Sequence, residues 1–267
     1  MTFRYFFTLC LLWSTAWGLL GCGGGAGTDV AGGTNATSPV QAGVYYDGSS
    51  GHDFWGVITP NGRWYGLNYK TAFPDIYSGE LTGAGNLNAS VSALKYQTTT
   101  NTFLQGTASF TSSGPGKLYG ALSLNTPSAI PVVFNAANPT GFLFSQGADL
   151  SAVSGNWTGK LSSNVGEFEG FSISITQNSG GISHSGSFAN CQWNASSSAA
   201  TALTTANIFT LTLNMMTIGS TTGCDTNLDG KTLTGVAFVT PMTGNMHRLI
   251  WVATTSDGHA ISFKADR

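Results

Sequence analysis

Three small constellations in the 267-residue chain have residue types and spacings that could do chemistry. In "GEFEG", Glu167 and Glu169 stand two apart on an extended run, so both carboxylates leave one strand face and could act on one substrate as general acid and base. Two carboxylates on a wet strand face are also what a solvated surface presents. In "DTNLDG", Asp225, Asn227 and Asp229 alternate ahead of Gly230 like the opening of a calcium loop. The twelfth position is Val236, where such a loop needs a bidentate Glu, and the segment reads as a hairpin turn beside Cys224. His52 and Asp53 are adjacent in "GHDF", and neighbours on a strand point apart, which argues against a His-Asp dyad. His184, His247 and His259 share no ligand spacing, and no nucleophile elbow, zinc-protease motif or phosphate loop is present. The expectation is a protein with no catalytic residues, no metal and no cofactor.

The elements that would carry these residues are strands. "EGFSISIT" alternates Phe171, Ile173 and Ile175 with Ser and Thr, and "NIFTLTLN" alternates Phe209, Leu211 and Leu213 with Thr and Asn, which is the period of a half-buried strand. Turn signals recur at Asn61-Gly62, Asp229-Gly230 and Asp257-Gly258. The Thr- and Ser-rich stretch from Ser196 to Asn207 reads as a loop rather than a helix. Short likenesses occur in the same order in both halves: "GVYYDG" with "GNWTGK", "ITPNGRWYG" with "ITQNSGGISHSG", and "KLYGALSL" with "KTLTGVAFV". The fold expected is all-β, an antiparallel meander barrel or sandwich, built as two related β units in tandem over residues 42–150 and 151–267.

Register gives candidate binding residues. With Asn61-Gly62 as a two-residue loop, Ile58 pairs Tyr65, Gly56 pairs Leu67 and Phe54 pairs Tyr69 on the core face, and Trp55 and Trp64 go to the other face. Treating Asp257-Gly258 alike pairs Val252 with Phe263 and Thr254 with Ile261, and sets Trp251 opposite Lys264 for a cation-π contact. Trp55, Trp64 and Trp251 could then present a ligand surface, cover a seam between the units, or fill a barrel interior.

Composition narrows the partners. Only 8% of residues are charged, the formal net charge is −2, and no basic run exists, so nucleic acid is not an expected partner. A surface rich in Gly, Ser, Thr and Asn suits many strands joined by tight turns.

The first residues place the chain. Arg4 precedes an apolar run from Tyr5 to Leu20 that is short and ends on small residues, the layout of a signal peptide. Its boundary, Leu19-Leu20-Gly21-Cys22, resembles the lipobox of bacterial lipoproteins, which implies cleavage before Cys22 and lipidation of that residue. Two or three acyl chains, at about 0.8 kcal/mol per buried methylene, make a stable membrane anchor. Residues 1–21 are thus expected to leave as signal peptide, and residues 22–41, small, polar and nearly uncharged, to act as a flexible tether. Gly23 follows the Cys where an Asp would, by the same resemblance, favour the inner membrane, so the outer membrane is expected. Of the four Cys, Cys10 leaves with the signal and Cys22 carries lipid; Cys191 and Cys224 remain and read as one disulfide in an oxidising periplasm. In layout, an acylated Cys, a Gly-rich tether and two Gly-rich β halves resemble the transferrin-binding and factor H-binding surface lipoproteins, while "GNWTG" at Gly155 resembles the openings of other proteobacterial lipoproteins. The resemblance implies a lipid-anchored module for a protein or glycan ligand, with a structural role in the envelope and a carbohydrate-active enzyme as the alternatives.

Overall fold

A computed structural model describes residues 40–49, 51–69, 75–82, 89–97, 102–125, 132–163, 166–178, 181–188, 191–197, 206–217 and 228–267. The segments expected to be signal peptide (residues 1–21) and, but for residues 40–41, tether (22–41, with Cys22), together with Cys224, Asp225 and Asn227, lie outside them. Residues Asn35–Arg267 belong to one compact unit, within which the strands form two separate closed barrels.

The first barrel is a meander of β1 (Gly43–Asp47), β2 (Phe54–Ile58), β3 (Arg63–Asn68), β4 (Asp75–Thr82), β5 (Ala89–Gln97), β6 (Thr102–Gly114), β7 (Lys117–Leu124) and β8 (Val132–Ala137). Its strands pair antiparallel in chain order. The closing pair, β1 with β8, has one backbone register pair, Tyr46 with Ala137. Side chains extend that closure: Asp47 Oδ2 accepts the Asn135 N–H at 2.9 Å, and the Asn138 amide donates to the Val44 carbonyl at 2.6 Å.

The second barrel runs β9 (Gly155–Ser163), β10 (Gly166–Asn178), β11 (Gly181–Phe188), β12 (Cys191–Ser197), β13 (Phe209–Thr217), β14 (Thr232–Pro241), β15 (His247–Thr254) and β16 (Ala260–Asp266), with β16 returning to β9 over five register pairs. The all-β tandem expected from sequence is what forms. The two quoted alternations bury the residues assigned to them: Phe171, Ile173, Ile175, Phe209, Leu211 and Leu213 all lie in this barrel's core. Ser196 and Ser197, assigned to a loop, instead end strand β12. One helical turn, α1 (Leu150–Val153), precedes β9; Asp149 caps it through the Ser151 N–H, and buried Val153 accepts from Trp157 Nε1 at 2.8 Å.

Two hairpin registers differ from expectation by one residue, for the same reason. At the β2–β3 turn, the Thr59 N–H bonds the Arg63 carbonyl at 2.8 Å, and Gly62, at φ +82°, donates back to the Thr59 carbonyl. The loop therefore holds three residues, Pro60 to Gly62, rather than two. The β15–β16 turn repeats it: Thr255 N–H bonds the His259 carbonyl and Gly258 sits at φ +91°. In both, the Thr hydroxyl also accepts the returning N–H, from Arg63 at 2.9 Å and from His259 at 2.8 Å. An extra loop residue exchanges the faces of one strand relative to its partner, turning over β3 in the first hairpin and β15 in the second. The observed pairs are Ile58 with Trp64, Gly56 with Gly66 and Trp55 with Leu67, and Trp251 with Phe263 and Ile250 with Lys264.

The cores follow from these registers. Inside the first barrel lie Tyr45, Phe54, Ile58, Trp64, Tyr77 and Phe110; inside the second lie Trp157, Phe171, Leu213, Leu249, Trp251 and Phe263. A third apolar cluster joins outward-facing residues of β1–β4 with outward-facing residues of β14–β16, so the barrels pack side against side. This explains why β2 is buried at every position and β14 is buried continuously from Gly235 to Thr240: both faces are covered.

Candidate functional site

The seam between the barrels combines an apolar strip with an ion pair that crosses it. Trp55 and Phe238 meet across it with ring centroids 5.7 Å apart, and Phe142, from the connection before α1, reaches Phe238 at 6.0 Å. Beside this apolar strip, Lys264 of β16 forms an ion pair with Asp53 at 2.9 Å and lies 4.0 Å over the Tyr69 ring, tying the barrels together. Asp53 also accepts from Trp55 Nε1 at 3.2 Å. The Tyr69 hydroxyl is buried beside Ser262, and burial above all raises its pKa.

The two ends of the seam open into clefts. One, of about 370 Å³, lies between the Thr59–Arg63 turn and β13–β14, with Arg63, Tyr65, Thr210 and Thr234 among its walls. Arg63 there lies 6.0 Å from the Tyr65 ring and 4.0 Å from Glu80. The other, of about 360 Å³, lies at the opposite end of β2, between Tyr46 and Trp55 on one side and Pro241, Met242 and Thr243 on the other, with Pro139 and Thr140 of the connection. Tyr46 packs on Trp55 at 4.3 Å between centroids. Arg248 lines this cleft, and its Nε and Nη2 both bond the Asp266 carboxylate at 2.6 Å, which raises the guanidinium pKa and lowers that of Asp266.

The three tryptophans singled out by register reasoning do not share a surface. Trp55 is on the outer face as expected, yet it is only 2% exposed because the second barrel covers it. Trp64 is corrected to the interior of the first barrel: its indole lies over Gly66, where an added Cβ would come within 2.6 Å of it. Trp251 likewise points into the second barrel, 5.8 Å from Phe263, and Lys264, its expected cation-π partner, turns to Tyr69 instead. The one-residue change in register accounts for both corrections.

Elsewhere the suggested constellations resolve into local pairing. Glu167 and Glu169 both bond Lys160, at 3.0 and 2.7 Å, so a lysine occupies the space between the two carboxylates. His52 faces Asp47 at 3.9 Å, whereas Asp53 turns to Lys264, so the adjacent His and Asp do point apart. Asp229 and Gly230 form a turn with Gly230 at φ +69°, and the rest of the suggested calcium loop lies outside the described residues. Cys191 opens β12, and the proposed partner Cys224 is outside. Arg267, not singled out from sequence, bonds the Ser154 and Ala152 carbonyls and lies 4.0 Å over Trp157, closing the helical turn onto the second barrel. A signal for the seam did exist: "FWGVI" and "LIWVA" are apolar on both faces, and a strand with two apolar faces needs two coverings.

No protein-family model, curated protein or solved structure matches the chain.

Proposed function

We propose that the protein is an outer-membrane lipoprotein, anchored through lipid on Cys22, whose two-barrel body binds a macromolecular ligand on its outside. The filling of both barrels supports this reading. Trp64, Tyr77 and Phe110 in one, and Trp157, Trp251 and Phe263 in the other, are at most 1% exposed. Eight-stranded barrels have interiors just wide enough either for side chains or for one small ligand, and here bulky side chains take that space. Recognition then falls to the outer surface and the clefts at the seam. The lysine-bridged Glu167 and Glu169 and the self-paired Arg248 and Asp266 are spent on structure, which favours binding over turnover.

The test is protease treatment of intact cells alongside metabolic labelling with a palmitate analogue. The reading expects label on the wild type and none on Cys22→Ala, with the mature body digested before the outer membrane is opened. A body that survives until permeabilisation would instead point to a periplasmic role in envelope structure or assembly.

A further inference from the structure

The cleft at the Thr59–Arg63 end of the seam differs from its counterpart in how its cation is held. Arg248, in the other cleft, is closed by two bonds of 2.6 Å to the Asp266 carboxylate. Arg63 has looser company. Glu80, itself 77% exposed, is 4.0 Å from its Nε, and its Nη1 reaches across the cleft to Thr234 Oγ1 at 3.4 Å. An ion pair that long and that wet contributes little. The guanidinium fork is therefore available to a carboxylate brought against it at hydrogen-bonding distance.

The surroundings of the fork narrow the ligand. Among the described residues that line the cleft, none is Asp or Glu and Arg63 alone is basic. One cation matches a singly charged carboxylate better than a doubly charged phosphate, whose second charge would find no partner there. The reachable walls are hydroxyls and an amide. Thr212 and Thr234 are register partners on β13 and β14, with Cβ atoms about 5 Å apart, and Asn61 stands on the facing turn. These three are exposed or half-buried, whereas Tyr65, Ile208 and Val236 make a buried apolar floor. The Thr59 hydroxyl occupies Asn61 Oδ1 at 2.5 Å, which leaves the Asn61 NH2 as a donor. Hydroxyls that donate and accept, set beside one cation, suit a ligand that carries several hydroxyls and one carboxylate. A peptide carboxylate would satisfy Arg63 but leave the threonines and Asn61 to water. The volume, about 370 Å³, is at the small end of ligand pockets, as a sugar ring requires.

We propose that this cleft binds a carboxylate-bearing sugar residue of the uronic acid class. Arg63 holds the carboxylate, and Thr212, Thr234 and Asn61 hold ring hydroxyls above the apolar floor. This rests on the binding role proposed above and names its ligand, one acidic residue of a glycan.

The experiment follows ligand signals by saturation-transfer NMR on the full-length protein in detergent, with empty micelles as the blank. The probes are galacturonic and glucuronic acids, their neutral counterparts galactose and glucose, acetate, the peptide Gly-Glu-Gly, and a trimer of whichever acid binds. Each acid differs from its neutral counterpart only by a carboxylate in place of a hydroxymethyl group. The variants are Arg63→Met, which keeps the apolar stem, and Thr212→Val, which keeps the shape; melting temperatures equal to wild type verify their folds. One of the acids is expected to bind at least about tenfold more tightly than its neutral counterpart and to lose at least about tenfold in Arg63→Met, as for loss of a hydrogen bond to a charged group. Thr212→Val should weaken the acid sugar and leave acetate unchanged. A neutral sugar bound as tightly as its acid, or an acid indifferent to Arg63→Met, overturns the role of Arg63. Acetate or the peptide bound as tightly as the acid sugar overturns the sugar and leaves a bare carboxylate site. Binding of no probe overturns the cleft as a site and leaves the anchored binding role to the protease and labelling test. Binding of the monosaccharide with exclusion of its trimer keeps the cleft chemistry and overturns the macromolecular ligand.

Discussion

Trp64 shows how much a single side chain decides in this protein. Its indole lies over the facing pair Gly56 and Gly66, and it packs 5.1 Å from Phe110 and 6.1 Å from Tyr77. Trp64→Ala is expected to cost about 3–5 kcal/mol, read as a lower denaturant midpoint. Gly66→Ala should destabilise in the same assay although it adds only a methyl, because that methyl meets the indole at 2.6 Å. Asp47 governs the barrel's closing pair. Burial pushes its carboxyl pKa up, but the bonds from Ser49 and from the Asn135 N–H outweigh it, and the net shift is downward. A carboxyl depressed in the folded state stabilises above its unfolded value, near about 3.9, and that stability is lost as pH falls through the lower folded value. Amide exchange of β1 and β8 should therefore accelerate in that acid range. Asp47→Asn should show faster exchange at pH 7 and a flatter acid limb; equal protection in both proteins would remove Asp47 from the closure.

The hairpins carry the next level. The sequences Thr59-Pro-Asn-Gly-Arg63 and Thr255-Ser-Asp-Gly-His259 build one turn twice, with Gly in the left-handed region and the Thr hydroxyl accepting the returning N–H. Gly62→Ala should cost about 1–2 kcal/mol in thermal or denaturant unfolding, since a side chain at that φ meets the following carbonyl. Deleting Pro60 tests the register itself. The shortened two-residue loop would turn Trp64 to the outer face and Tyr65 inward, so loss of cooperative unfolding is expected, and a protein of unchanged stability would show that the loop does not set the register. Asn-Gly alone is ambiguous between two- and three-residue loops; the Thr three residues before each Gly was the local cue that distinguished them.

At the level of the molecule, the barrels stabilise each other. Trp55, Val57, Leu67 and Ile76 on one and Val236, Phe238, Ile250 and Val252 on the other have no solvent-facing alternative once the seam closes. At about 1.5–3 kcal/mol for each fully buried large side chain, this strip is a second core rather than a docking contact. Wild-type protein should unfold in a single calorimetric transition. Phe238→Asp, which puts an unpaired charge opposite Trp55, is expected to split that into two, with Trp55 becoming accessible to an aqueous quencher. A single transition in that variant would mean that each barrel depends on the other for folding.

What the sequence determined by itself was the strand alternation and the tandem division. Phe171-Ile173-Ile175 and Phe209-Leu211-Leu213 bury the faces that their period assigns, because a half-wet strand leaves one pattern. The two-faced apolar runs in β2 and β15 also stated that something must cover each outer face, without naming what. Only the tertiary structure decided that the covering is the other barrel, that Trp55 lies beneath it, and that Arg248 meets Asp266 at the mouth of a cleft walled by three distant segments. Alternation is a property of neighbours along one strand and can be read locally. Which two faces meet is a property of curvature and register summed over eight strands, and one added turn residue is enough to exchange an inner face for an outer one.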